Sequence, residues 1–282
     1  MAEVVFIHGV GEVPGPGAAA AEQAWVEPLV APMPEAVDGW LRDRSTLTYY
    51  QDWSWYEDRG EADRRSKRSW AVMRALFSDV VDEARAAYDS VEPERVRDLA
   101  EVAARWSDSE RVLAASNRVA EQVSAFNMWQ VTAFLDDLAG SRQHILDRVA
   151  DSVSSDTRVV VGHSLGSIVA YEAVHALGLR LDALVTLGSP LGTPGLVLDR
   201  LRPAPAFPAG VERWVNISHP SEPVAIVHEL APLFPAADAS ERVEDLIIET
   251  DAAYPWHAVD TYLGRDEVRR VLWSALGLRE PG

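Results

Sequence analysis

Thr157-Arg158-Val159-Val160-Val161-Gly162-His163-Ser164-Leu165-Gly166 decides how this chain reads. Thr157 to Val161 is a short apolar run rich in β-branched residues, which predicts a buried strand. From Leu165 to Leu177 the apolar spacing is that of a helix. Between them stands G-x-S-x-G, the spacing of a sharp strand-to-helix turn that lifts one serine hydroxyl clear of a sheet. Glycine is required on either side because a side chain in so tight a turn would strike neighbouring backbone. The plainer alternative is a serine that only N-caps an ordinary βα turn.

Working outward, Val4 to Ile7 is a continuous apolar run ending at a His-Gly step, which predicts a first strand covered on both faces. A short helix is expected around Ala18 to Leu29 and a second strand at Leu47 to Tyr50. Beyond the serine, strands are expected at Asp182 to Leu187, Arg213 to Ile217 and Val243 to Glu249, with a closing helix over Arg265 to Leu276. Strands alternating with helices predict an α/β fold, a mostly parallel, doubly wound sheet whose active site lies beyond the carboxyl ends of the strands. Residues 61–140 differ in texture. Trp70, Met73, Phe77, Val80, Ala84 and Tyr88 recur three or four apart, and three further stripes follow. The expected organisation is therefore a core contributed by residues 1–60 and 141–282, with residues 61–140 as an α-helical cap or insertion covering the site.

Composition narrows the partners. The 282 residues carry 44 acidic against 26 Lys and Arg side chains, a formal charge of −18. Nucleic acid and anionic membrane both demand a basic face, so neither is an expected partner. There are no cysteines, which removes disulfides, thiolate metal sites and cysteine nucleophiles. No stretch approaches a membrane span, and a cytoplasmic location is the default expectation. No H-x-x-x-H or H-E-x-x-H pair points to a metal, and no phosphate-loop or dinucleotide spacing points to a cofactor. None is expected.

A serine hydroxyl needs a base, and the base needs an acid that fixes its tautomer. His257 follows the last expected strand and precedes the closing helix, where the order serine, acid, histidine puts the base. His228 and then His219 are the alternatives. Glu222 lies just beyond the strand at 213–217 and is the expected acid; Glu229 and Asp238 are fallbacks, and Asp260 could orient His257 locally. The backbone N–H groups of Leu165 and Val10 are the candidate oxyanion donors, with His8 bracing the loop that carries Val10. His163 is expected to pack, and His144 and His175 to fall within helices.

Three segments carry a family resemblance: Phe6-Ile7-His8-Gly9-Val10-Gly11, Val161 to Tyr171 around Ser164, and Thr186-Leu187-Gly188-Ser189-Pro190-Leu191-Gly192. Together they resemble an α/β-hydrolase, most of all the lipase- and esterase-like bacterial members. The resemblance implies Ser164 as nucleophile, oxyanion donors at Leu165 and Val10, and a base at His257. Trp214 to Val224 is similar to the family strand followed by Asp-Pro-Val, but this chain has Glu222-Pro223-Val224, with glutamate as the implied acid. The match spans the first dozen residues and roughly 140–275.

Large apolar residues, nearly all aromatic, crowd the insert and its approach: Trp53, Trp55, Tyr56, Trp70, Phe77, Trp106, Phe126, Met128, Trp129 and Phe134. Most must form helix-packing faces. The remainder could line an apolar pocket. The expected activity is hydrolysis of a small carboxylic ester with an apolar acyl or alcohol part. Lipid-directed hydrolysis, acyl transfer or ring closure, and a non-catalytic binding module are the alternatives.

Overall fold

In a computed structural model of the chain, the described residues are 2–10, 18–50, 130–131, 133–193, 197–220, 224–225, 227–237, 242–248 and 257–278. Among the described residues six strands form one sheet: β1 (Val4–Ile7), β2 (Ser45–Thr48), β3 (Val159–His163), β4 (Ala183–Leu187), β5 (Trp214–Ser218) and β6 (Val243–Ile247). Their order across the sheet is β2-β1-β3-β4-β5-β6, and every pairing is parallel. Parallel strands must be covered on both faces. Consistent with this, β1, β3, β4 and β5 are buried at every position.

The helices flanking the sheet among the described residues are α1 (Ala18–Val30), α2 (Glu35–Arg44), α3 (Ser141–Ser152), α4 (Leu165–Leu177), α5 (Val259–Leu263) and α6 (Asp266–Leu276). On one face Trp25, Leu29, Leu41, Tyr262, Leu263, Val268 and Leu272 pack with Val4, Phe6, Val159, Val161, Val185 and Val215 in a single apolar core. That places α1, α2, α5 and α6 together on this face. Helix α4 lies against β1, β3 and β4, and its Tyr171 packs on Trp214 of β5 with ring centroids 5.8 Å apart. Because Trp214 alternates with the core-facing Val215, α4 occupies the opposite face. The sheet is doubly wound.

Among the described residues the expected strands and helices are present with small shifts. Strand β2 starts two residues before the expected run, at Ser45, because the last turn of α2 passes directly into it. Helix α2 itself was not expected. No element was assigned between the expected helix ending at Leu29 and the strand at Leu47, a stretch with two prolines, yet Pro34 sits at the N-cap, where a missing N–H costs nothing. Helix α5 was also unexpected; it is only five residues long.

Two compact units make up the chain. One comprises Met1–Trp53, Gln143–Gly192 and Leu201–Gly282 and contains the sheet. The other comprises Ser54–Arg142 and Thr193–Arg200. Within it the Arg142 guanidinium donates to the carbonyls of Phe134, Leu135 and Arg200 at 3.1–3.2 Å. The helical stripes expected between 61 and 129 lie outside the described residues.

Candidate active site

The strand order reverses between β1 and β3: β2 lies beyond β1 on one side, and β4, β5 and β6 follow β3 on the other. Loops leaving the carboxyl ends of such a strand pair part from each other and leave a crevice. Ser164 is the first residue after β3, and His8-Gly9-Val10 is the exit of β1. The two segments that the sequence singles out therefore stand at one topological switch point.

Ser164 has φ +53° and ψ −127°, a backbone conformation that costs a non-glycine residue about 1–3 kcal/mol. The surroundings enforce it. Ser164 N–H donates to Leu187 O at 3.0 Å, which ties the turn to β4. A Cβ on Gly162 would lie 2.5 Å from Gly166 O, and one on Gly166 would lie 2.0 Å from Ile7 O. Both glycines are thus required by close backbone approach, one within the turn and one against β1. The Ser164 side chain is 8 % exposed at the start of α4.

His257 reaches Ser164 from the far end of the chain. Its Nε2 lies 2.9 Å from Ser164 Oγ. With the ring proton on Nδ1, Nε2 accepts the seryl hydroxyl, which is the arrangement a general base needs. Two residues later α5 begins, and its buried Tyr262 and Leu263 fix the segment to the core. The His257 ring rests against His163, centroids 4.8 Å apart. His163 in turn contacts Tyr262 at 5.7 Å and Trp25 at 6.4 Å between centroids.

No protein-family model, curated protein or solved structure matches the chain. The site stands on its own geometry: a strained serine hydrogen-bonded to a histidine, on an α/β fold with a parallel sheet.

The other expected residues fall as follows. Glu222 lies outside the described residues, as does Asp238. Glu229 is exposed. Asp260 is exposed on α5. His228 sits in the loop between β5 and β6, where its carbonyl accepts from Asn216 Nδ2 at 2.8 Å, and His219 is buried just beyond β5. Val10 is half-buried in the turn after β1, and Leu165 is the first residue of α4.

Three residues to which sequence reading gave no role brace loops that follow the strands. Tyr50 stacks on His8 with ring centroids 4.1 Å apart, its hydroxyl donates to His8 O, and its N–H lies 3.3 Å from His8 Nε2. His8 Nδ1 lies 2.6 Å from Gly9 O. A backbone N–H only donates and a carbonyl only accepts, so the proton of His8 is on Nδ1. Asn216 and Asp245 form the second brace. Asp245 accepts Asn216 Nδ2 at 2.9 Å, Leu230 N–H at 2.8 Å and Ala231 N–H at 2.9 Å. Asn216 Oδ1 accepts from Thr186 Oγ1, 3.0 Å away, which itself accepts Trp214 Nε1 at 3.1 Å. Burial pushes the Asp245 carboxyl up from its usual range, against the three hydrogen bonds that favour its charge. A polar residue inside β5 and an acid inside β6 were the available signals.

Among the described residues, no group of three or more His, Asp or Glu side chains could hold a metal ion, and no helix is long and apolar enough to cross a membrane.

Proposed function

We propose that this chain is a serine hydrolase of the α/β-hydrolase type, cleaving a carboxylic ester with an apolar acyl or alcohol part. The observation that carries the reading is the 2.9 Å contact between His257 Nε2 and Ser164 Oγ at a serine held in a strained strand-to-helix turn. Strain of this kind persists only where surrounding structure over-determines it, and it clusters at working sites. A serine that merely capped a helix would need neither the conformation nor the histidine.

The proposed reaction runs in two stages. Ser164 Oγ attacks the ester carbonyl carbon as its proton passes to His257 Nε2. The oxyanion so formed accepts the N–H groups of Leu165 and Val10. Collapse breaks the bond to the alcohol, which leaves with the proton from His257, and the acyl group stays on Ser164. Water then attacks the acyl carbon while His257 takes its proton. Collapse expels Ser164 Oγ, which recovers that proton, and the acid departs. Glu222 is the proposed partner of the imidazolium. It follows the end of β5 by four residues, and the braced loop at Leu230 and Ala231 lies downstream of it. Residues 61–140 are the proposed helical insertion, and their aromatic residues are the proposed source of selectivity for apolar groups.

The test is turnover of p-nitrophenyl esters from acetate to octanoate by wild type, Ser164→Ala and His257→Ala. Wild type is expected to turn over and to prefer the longer acyl chains. Each variant should lose on the order of a thousandfold or more in kcat. Undiminished turnover by Ser164→Ala would overturn the proposal.

A further inference from the structure

We infer that Ser167 and Ser189 are positioning residues that aim the Leu165 N–H, through a one-way chain of hydrogen bonds gripping the carbonyl of Ser164. The inference rests on the reading of Ser164 as nucleophile and Leu165 N–H as oxyanion donor.

The direction of every link follows from its chemistry. Ser167 Oγ lies 2.6 Å from Ser164 O, and a carbonyl only accepts, so the Ser167 hydroxyl proton points there. Ser189 Oγ lies 2.7 Å from Ser167 Oγ. With the Ser167 proton committed, Ser189 is the donor. Leu191 N–H lies 3.3 Å from Ser189 Oγ and can only donate. The chain therefore runs from Leu191 N–H through Ser189 and Ser167 to the Ser164 carbonyl. That carbonyl also accepts Ser167 N–H at 2.9 Å. Ser167 is fully buried and Ser189 is 1 % exposed, so solvent does not reach either hydroxyl to replace its partner.

Gripping this carbonyl has a consequence at the other end of the same peptide unit. The Ser164 C=O and the Leu165 N–H belong to one planar, trans group and point in opposite directions. Fixing the carbonyl fixes the N–H. The left-handed φ of Ser164 leaves that plane to be held by its neighbours rather than by intrinsic preference.

The far end of the chain is anchored. Gly188 N–H donates to Ile217 O at 3.0 Å, which fastens the loop to β5. A Cβ on Gly192 would come within 2.8 Å of Val227 Cβ and 2.9 Å of Leu230 Cδ2, so the loop is pressed against the segment that Asp245 holds. Pro190 has no N–H, which leaves Leu191 as the first donor after Ser189. The run Gly188-Ser189-Pro190-Leu191-Gly192 thus acts on the site through the Ser164 carbonyl.

The experiment measures kcat and KM on a p-nitrophenyl ester, together with inhibition by an apolar trifluoromethyl ketone, whose adduct carries an oxyanion. Variants are Ser167→Ala, Ser189→Ala and Ser189→Cys, the last keeping volume while weakening the donor. Each should lower kcat about five- to tenfold and weaken ketone inhibition by a similar factor, as expected for one lost hydrogen bond, while KM stays within about twofold. A general loss of packing would not change ketone and substrate affinity differently. Folded variants with wild-type kcat and wild-type ketone inhibition would overturn the inference, as would parallel changes in KM and ketone inhibition. A wild-type protein that hydrolyses no ester and forms no covalent adduct with the ketone would instead overturn the nucleophile reading, before any variant is compared.

Discussion

The imidazole of His163 lies against that of His257, with centroids 4.8 Å apart and planes 35° from parallel. The residue before the strained serine thus supports the ring that addresses it. Strand alternation puts the His163 side chain on the face of Val159 and Val161, in the core with Trp25 and Tyr262. His163→Phe keeps a flat ring at this place and should retain kcat within a few-fold. His163→Ala removes the support and should cost about tenfold or more, since small misplacement of a reacting group is expensive. Equal activity in the two variants would show that the contact does not orient His257.

Glycine at 166 is a condition for folding as well as for the turn. A Cβ there would lie 2.0 Å from Ile7 O, and backbone of a central strand cannot give way cheaply. Gly166→Ala should lower stability by about 3 kcal/mol or more, measured by urea unfolding. Gly39→Ala is the control, because a Cβ at Gly39 meets nothing within 4 Å. It should be neutral or stabilising in the middle of α2.

Tyr50→Phe removes the hydroxyl that donates to His8 O and leaves the stacked ring. The expected loss is about 1 kcal/mol of stability. If the loop after β1 supplies an oxyanion donor, kcat should fall as well, with little change in KM. A fall in stability alone would mean that Tyr50 supports the fold and not the reaction.

His175 provides a pH signature away from the site. Burial holds its pKa below the usual 6.5, and its ring meets Tyr171 edge-on at 4.7 Å. The unfolded chain takes up this proton more readily than the folded one. The stabilising contribution is therefore complete above about pH 6.5 and is lost as pH falls through the lower folded value. The thermal midpoint should drop between pH 7.5 and pH 5, and the drop should be smaller in His175→Phe. An identical drop in both proteins would assign the acid sensitivity elsewhere.

Periodicity carried the sheet. The runs at Val4–Ile7 and Leu165–Leu177 coincide with β1 and α4, because one is uniformly apolar and the other ends at Gly178 in a left-handed C-cap. Helix α2 was missed because prolines punctuate local pattern whether they open a helix or prevent one. Ser164 and His257 were legible from the strand-turn-helix spacing and from chain order. Tyr50, Asp245, Ser167 and Ser189 were not, since their roles depend on which backbone groups folding brings beside them. A carboxylate inside a strand or a serine between glycine and proline carries no mark of its partner in the linear chain.

The most direct test of a Ser164 nucleophile activated by His257 is covalent trapping. Folded protein treated with an alkyl fluorophosphonate is digested, and the modified peptide is located by mass spectrometry. The modification should sit on Ser164, and His257→Ala should slow it on the order of a hundredfold or more. Absence of modification from folded wild-type protein, or modification at Ser164 as fast in His257→Ala as in wild type, would contradict the account.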